Sequence, residues 1–266
     1  GEEWYNVFIY NDDTVVDMLG GYVAEMGSYD ASTVNVTAGH VSRLDAWEFS
    51  TANVSGGEVG ALWACDSGTV KVFPNATLFR LDASGSGTAY MSGGTTEYVG
   101  AGDSGVINLY GGAITDWLCA QDSSTINIYG YGFTYDPLAG SRDGGRLSGF
   151  WLDSTAFIID LYGTETYSHI NLFAVINVEI EIRPETLNLA SKGKWVNCYI
   201  WLPDEYDVAD IDPNSIIFED EIQAESFRVD EEQQVATARF NRSDVQAILE
   251  VGEVELTVTG QLLDGT

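Results

Sequence analysis

Apolar and polar residues alternate in short segments that recur every 18 or 19 residues through the first half of the chain. Each segment has two apolar positions separated by one polar position. This period of two is typical of a strand with one buried face. The pattern therefore predicts one strand per repeat, with the same face turned inward each time. The segments are 32–36, 50–54, 68–72, 87–91, 105–109 and 124–128.

A second, weaker strand lies between these segments, at Val41 and Leu44 in one repeat and at Val59 and Leu62 in the next. An earlier copy of the first strand begins at Val15, which raises the count to about seven repeats. Strands that return at a short, constant spacing predict a parallel β-solenoid, in which each coil stacks on the last at about 4.8 Å. We predict an all-β fold with the solenoid at residues 14–128.

The rest of the chain predicts a cap and a second domain. The repeat fails after residue 128, and we assign residues 129–178 to a solenoid cap and connection. Residues 179–266 carry further strand patterns, at 235–240 and 253–259, and a helical pattern at 243–249 with Ser243 as its N-cap. These elements predict a C-terminal antiparallel β-sandwich.

Two groups of phrases resemble secreted bacterial proteins. IYGYGFTYDPLAG, GRLSGFW and FIIDLYG, between residues 128 and 163, are similar to phrases that end many secreted β-solenoid repeat proteins of environmental bacteria. Residues 182–184, 187–193 and 207–216 resemble a small C-terminal β-sandwich domain of secreted bacterial proteins. The resemblance implies secretion and a solenoid architecture, and it brings no assigned chemistry.

Residues 1–13 predict a strand or arm ahead of the repeat. We hypothesise that this arm pairs with the exposed strand edge of a neighbouring molecule, which would give head-to-tail polymerisation. The alternative is that the arm caps its own solenoid. The residues assigned to this self-assembly strand are Trp4, Tyr5, Val7, Phe8, Ile9 and Tyr10.

The charge narrows the choice of partners. The sequence has 41 Asp and Glu against 11 Lys and Arg, a formal net charge of −30 at pH 7. Such a chain repels nucleic-acid phosphates and anionic lipids, so we expect no nucleic-acid partner. The sequence contains no run of 18 apolar residues, so we expect no membrane insertion. The chain opens on Gly1-Glu2-Glu3 without a leader, which we interpret as a mature secreted chain, although a fragment boundary would look the same.

Candidate catalytic groups are few. The two histidines, His40 and His169, have no nucleophile motif around them, and the acidic residues are too numerous for one carboxylate pair to be singled out. We expect no enzyme, with a polysaccharide-active enzyme as the alternative. Cys65 and Cys119 are interpreted as buried apolar residues, with a bridge between them as the alternative; Cys198 is the third cysteine.

One acidic loop is a candidate calcium site, because calcium prefers several oxygen ligands from such loops. The alternative is a solvated acidic loop, and no cofactor is required. The candidate ligands are Asp204, Glu205, Asp207, Asp210 and Asp212.

Four sequons are candidate N-glycosylation sites, at Asn35, Asn53, Asn75 and Asn241. The repeat places Asn35 and Asn53 on adjacent coils, about 4.8 Å apart, which is too close for two bulky glycans.

These patterns together predict an extracellular structural or cell-surface protein, in its sharpest form a self-assembling filament subunit that joins through strand edges. The alternative is a carbohydrate-binding or polysaccharide-processing solenoid. We expect a homopolymer or homo-oligomer, with glycans as possible partners.

Overall fold

The computed structural model describes residues 3–176, 178–187, 193–204, 206–219, 221–249, 252, 254 and 256–263. The chain divides into two compact units, Gly1–Val175 and Ile176–Thr266. The division falls three residues before the predicted start of the C-terminal domain at residue 179. Both units consist mainly of β-strands.

Unit 1 contains thirteen strands and one short 3-10 helix, Thr166–His169. The strands are β1 Glu3–Ile9, β2 Val15–Ser28, β3 Thr33–Ala46, β4 Thr51–Val54, β5 Glu58–Ala64, β6 Thr69–Val72, β7 Thr77–Ala83, β8 Thr88–Ala101, β9 Val106–Ala120, β10 Thr125–Asp136, β11 Arg146–Phe150, β12 Ala156–Leu161 and β13 Ile170–Ala174.

The strands of unit 1 form two parallel stacks, which confirms the predicted β-solenoid of about seven turns. The first stack holds the segments that open each coil, such as Thr33–Val36, and runs through β2, β3, β4, β6, β8, β9, β10 and β13. The second stack holds the segments that close each coil and runs through β1, β2, β3, β5, β7, β8, β9 and β12.

The predicted inward rows form the core of unit 1. All twelve inward positions of the six repeat segments are no more than 1% exposed. The second stack adds rows such as Val41 and Leu44, which are also fully buried. Because each inward side chain meets its equivalent one coil away, the core is a continuous column along the solenoid.

The turn that links the two stacks carries acidic residues in a left-handed backbone conformation. We call Asp30, Glu48, Asp66, Asp103 and Asp122 the turn column; their φ angles lie between 52° and 60°. Gly85 takes the same place, at φ 63°. Residues with a Cβ rarely adopt this conformation, and aspartate is among the more tolerant. Several of these carboxylates accept an N–H of the preceding turn, such as Asp30 Oδ2 from Asn11 at 2.9 Å.

The second half of β10, β11 and β12 form an antiparallel meander at the C-terminal end of the solenoid. Trp151, which is 2% exposed, donates its Nε1–H to Gly112 O at 2.9 Å and stacks against Phe157. Arg146 Nε donates to Asp160 Oδ1 at 2.7 Å and, with the N–H of Ser141, lowers the pKa of Asp160 to about 2. The meander therefore packs aromatic side chains against the C-terminal end of the core.

The described residues of unit 2 form two antiparallel sheets, in agreement with the predicted β-sandwich class. Its elements are β14 Glu179–Arg183, β15 Trp195–Trp201, β16 Ile217–Phe218, β17 Ile222–Gln223, β18 Ser226–Asp230, β19 Val235–Asn241, α1 Arg242–Ile248 and β20 Val258–Thr259, with a 3-10 helix at Val208–Asp210. One sheet has the order β14-β15-β19-β18 and the other β17-β16-β20.

The predicted N-cap of the helix is wrong by two residues. The cap is Asn241, whose Oδ1 accepts the N–H of Ser243 at 3.0 Å, and the helix begins at Arg242. Ser243 instead donates its hydroxyl to the same oxygen. The predicted strand at 253–259 is described only at Val258–Thr259, and residues 253 and 255 lie outside the described part of the chain.

Replacing a central core residue will test the continuous column. We expect Leu62→Ala to lower the free energy of unfolding by about 2–5 kcal/mol, because its fully buried side chain leaves a cavity that neighbouring coils cannot fill. Ile158→Ala, at a residue that is 63% exposed, is the control and is expected to cost less than about 0.5 kcal/mol. Urea unfolding measures both, and equal losses would contradict the column.

Candidate functional site

The N-terminal end of the solenoid presents strand edges and exposed apolar side chains. Within the described residues, β1 has a partner strand on one side only, and the outer edge of β2 is unpaired over Val15–Leu19. Exposed apolar groups of this size mark interaction surfaces when they lie together. We call this surface the N-terminal edge; its exposed residues are Trp4, Tyr5, Phe8, Tyr10, Val15, Leu19 and Tyr22.

The predicted self-assembly strand pairs with its own chain in this structure. β1 runs parallel to β2, with Trp4 opposite Val23 and Val7 opposite Met26. Ile9 is buried in the core and Val7 packs against it, whereas Tyr5 is 86% exposed. The strand therefore caps its own solenoid, the alternative considered above, and its outer edge carries the remaining apolar side chains.

The other edge strand of the same sheet is β13 at its C-terminal end. β13 continues the first stack in register, with Ile170 opposite Ile126 and Leu172 opposite Ile128. Both side chains point along the inward rows but are only partly buried, unlike their fully buried partners in β10. The first stack thus ends at each side on a partly open core position.

An asparagine ladder runs along the outer face of the first stack. Asn53 Nδ2 donates to Asn35 Oδ1 at 2.9 Å, and Asn35 Nδ2 donates to Asp17 Oδ1 at 2.8 Å. Near the other end, Asn171 and Asn127 donate in the same direction, at 3.0 and 2.9 Å, and Asn108 is the last acceptor. Lys71 and Tyr90 occupy the row between the two runs.

The four sequons have different surroundings. Asn35 and Asn53 lie directly opposite each other on adjacent coils, as the repeat predicts, and both amides are engaged in the ladder. Asn75 is exposed in a turn. Asn241 caps α1 and donates to Glu225 Oε1 at 3.0 Å. Glycan occupancy stays a prediction at all four.

Two of the five candidate calcium ligands accept local hydrogen bonds. Asp207 Oδ1 accepts from Ala209 N, and Asp212 Oδ1 accepts from Asn214 N, both at 2.9 Å. Asp204 and Asp210 are exposed, and Glu205 lies outside the described residues. In the part of the chain that the structure describes, no three His, Cys, Asp or Glu side chains are grouped as a metal site would require. Calcium binding at this loop stays a prediction.

Aromatic rings form two rows on the outer surface of unit 1. Tyr110 stacks on Tyr129 at 4.3 Å, and Tyr129 stacks on Phe173 at 4.8 Å. Desolvation and the hydrogen bond to Tyr129 raise the pKa of Tyr110 to about 12, so this hydroxyl stays neutral. These two tyrosines therefore pack against each other on the outer surface.

The second row, which we call the aromatic strip, runs along the second stack. Its members are Phe79, Tyr98, Trp117 and Tyr162, with successive ring centroids 4.9, 4.8 and 5.2 Å apart. Neighbouring rings are tilted by 79°, 46° and 35°, so they are not stacked face to face. Phe79 and Tyr162 are about half exposed.

Two arginines flank a tryptophan beside this strip. The guanidinium carbons of Arg43 and Arg80 lie 5.6 and 5.2 Å from the Trp63 ring. Each arginine also pairs with a buried carboxylate, Arg43 with Asp45 and Arg80 with Asp82. Burial raises the pKa of both carboxyls, and their arginine partners oppose that rise. These cations are therefore already neutralised.

The histidines and cysteines do not form a catalytic arrangement among the described residues. His40 stacks on Tyr22 and lies 3.4 Å from Glu58, and His169 Nδ1 lies 3.1 Å from the backbone oxygen of Ser124. All three cysteines are free. Desolvation raises the pKa of Cys198 to about 12 and that of Cys65 to about 11, which suppresses the reactive thiolate.

Sequence reasoning missed the turn column. The signal was available, because an acidic residue, or Gly85, recurs in the turn just before each repeat segment from residue 32 to residue 128. Aspartate at a recurring turn position indicates a left-handed backbone. The repeat was defined on apolar positions, which left these acids unassigned.

Comparison with known proteins leaves the chain without a recognised relative: no protein family, curated protein or solved structure matches it. The resemblance of residues 128–163 and 182–216 to secreted bacterial proteins therefore stays a prediction. No helix among the described residues has the length and apolar character to cross a membrane.

Breaking the asparagine ladder will test its part in stability. Asn108→Ala removes the acceptor of Asn127 Nδ2, and we expect it to lower the free energy of unfolding by about 0.5–1.5 kcal/mol. Asn75→Ala, in an exposed turn, is the matched control and should change stability by less than about 0.5 kcal/mol. Chemical denaturation measures both variants. Equal free energies of unfolding for Asn108→Ala and Asn75→Ala would show that the ladder contributes nothing to stability.

Proposed function

We propose that this protein is an extracellular structural or cell-surface subunit that self-assembles through β-strand pairing at the N-terminal edge. The observation that supports this is the combination of unpaired strand edges with seven exposed large apolar side chains at one end of a solenoid. Unpaired edges offer backbone donors and acceptors in a fixed row, which is the surface that strand addition uses.

The filament form of this proposal joins the N-terminal edge of one copy to β13 of the next. The free edge of β2 over Val15–Leu19 and the strand β13 are the two ends of the first stack, so pairing between copies is head to tail and continues without limit. Ile170 and Leu172 of β13 would continue the inward row that begins at Val16 and Met18. The contact is apolar and backbone-mediated, which suits a chain with a net charge of −30.

A charge placed on the edge tests the proposal. We expect Leu19→Lys to reduce the polymer fraction at least tenfold, because a lysine on an edge strand opposes pairing with another chain. Leu19 is 75% exposed, and Phe49→Lys is a matched control because Phe49 is 77% exposed on the turn after β3 and belongs to neither unpaired edge. Negative-stain micrographs and light scattering after size exclusion measure assembly.

Two results would reject this function. A wild-type chain that stays monomeric at every concentration tested has no self-assembly to explain. Polymers that form equally well with Leu19→Lys and with Phe49→Lys would show that assembly uses a different surface.

The aromatic strip supports a second candidate function, binding of a neutral polysaccharide. Its rings recur once per coil, about 4.8 Å apart, which suits a ligand that is itself a linear repeat of small units. The tilts between rings leave part of their faces open for the apolar face of a sugar. The net charge of −30 disfavours acidic polysaccharides.

Loss of one ring tests the second candidate. We expect Trp117→Ala to weaken binding to a soluble neutral glucan or mannan about tenfold, since buried aromatic anchors carry much of the binding energy at such surfaces. Phe49→Ala removes an aromatic ring outside the strip and serves as control. Affinity electrophoresis in gels containing the polysaccharide gives the comparison, and equal retardation of both variants would exclude the strip as the site.

A further inference from the structure

Three enclosed side-chain nitrogens in unit 2 have no hydrogen-bond acceptor. They are Arg239 Nε, Arg242 Nε and Gln246 Nε2, and they are the full set of enclosed, unpartnered side-chain nitrogen and oxygen atoms in the described part of the chain. All three are donors, and all lie within one stretch of eight residues. Buried polar groups are nearly always paired, so an enclosed donor without an acceptor indicates that an acceptor is missing.

Arg242 is the strongest candidate among the three residues. Its side chain belongs to a residue that is 6% exposed, and none of the ion pairs between described residues includes it. Phe240, two residues before it, and Val245, three residues after it, belong to the core of unit 2. The Nε–H of this guanidinium is enclosed and has no acceptor, and buried donors of this kind are normally paired or bound to a ligand.

Two of the donors lie at one corner of unit 2, where β19 runs directly into α1. Arg242 and Gln246 are one helical turn apart and share a face of α1, which lies against β19 and β15. Arg239 alternates along β19 with the core residues Ala238 and Phe240, so its side chain is on the other face of the sheet. The corner has a carboxylate of its own, Glu225, but this group accepts from Asn241 Nδ2.

We propose that the corner between β19 and α1 binds an oxyanion, with the Arg242 guanidinium as its main ligand and Gln246 as a further donor. A carboxylate, sulfate or phosphate group supplies several acceptor oxygens, and the planar guanidinium matches such groups in a bidentate manner.

The oxyanion has two sources with the same chemistry. One is a free inorganic anion. The other is a carboxylate of a second copy of this chain, and exposed acids such as Asp66 and Asp103 of the turn column are candidates. The experiment has an arm for each source.

The first arm measures binding of sulfate to the full chain. We expect sulfate at about ten times its Kd to raise the Tm of unit 2 by about 5 °C or more over sodium chloride of equal ionic strength. Sulfate also stabilises proteins that have no sulfate site, so the test compares the rise in Tm between two variants. Arg242→Met should abolish the site-specific part of the rise, whereas Arg228→Met, the same change at an exposed position on β18, should keep it.

Arg242→Met is expected to fold, because an apolar side chain of similar size in place of an unpaired buried charge is neutral or stabilising. Gln246→Leu is the second variant and should weaken sulfate binding about tenfold by calorimetric titration. Equal sulfate responses of Arg242→Met and Arg228→Met would overturn the site.

The second arm measures self-association by sedimentation velocity. If a second copy supplies the carboxylate, the wild type self-associates, sulfate reverses this, and Asp66→Asn with Asp103→Asn weakens it. Sulfate binding without such self-association assigns the site to a free anion. A chain that neither binds sulfate or phosphate nor self-associates in a sulfate-sensitive way has no oxyanion site at this corner. We expect Leu19→Lys to leave sulfate binding and sulfate-sensitive self-association unchanged, so this test is independent of the N-terminal edge.

Discussion

Parallel in-register stacking is the constraint on which unit 1 depends. Every strand must bring its backbone N–H and C=O groups to a strand one coil away, so each coil repeats the path of the last. The cross-section then has to stay nearly constant while the inward side chains change. Larger and smaller side chains alternate along one inward row, from Val34 through Ala52 and Val70 to Ala89. This alternation lets side chains of different size pack in a column of constant width.

The same constraint decides what the outer face can carry. Equivalent residues meet at every coil, so each outward side chain needs a neighbour it tolerates at close range. Asn53 and Asn35 satisfy this by amide hydrogen bonds, and Tyr110 and Tyr129 by ring stacking. Trp63 lies between Arg43 and Arg80, which separates two like charges by an aromatic ring. The outward rows are therefore ladders of compatible groups, and only their ends or exposed faces are free for partners.

The sequence predicted the repeating elements in register, and for the elements outside the repeat it left pairings and caps open. The inward rows at Val34 and Ile107 were predictable because period two and the 18–19-residue spacing coincide there. The parallel pairing of β1 with β2 was left open, since an arm outside the repeat can pair with either chain by the same physics. The Asn241 cap was missed because both Asn241 and Ser243 are good capping residues.

The candidate sites show the same division. The exposed aromatic residues of the N-terminal edge could be named from the sequence, because an apolar strand outside the repeat is visible without a fold. The unpartnered donors Arg239, Arg242 and Gln246 could not, because burial of Arg242 depends on how α1 packs against β15 and β19. A charged residue at the start of a helix gives no sign of burial in a single sequence.

The turn column has an electrostatic consequence for the molecule as a polyelectrolyte. Two unit charges one coil apart, at about 4.8 Å in water, repel each other by about 0.9 kcal/mol, more than the thermal energy of about 0.6 kcal/mol. A line of charge this dense draws a sheath of cations along the turns, as the phosphates of nucleic acids do. Only Gly85 interrupts the line between Asp30 and Asp122. Unit 1 therefore has one edge whose effective charge is set by the surrounding salt rather than by its carboxylates alone.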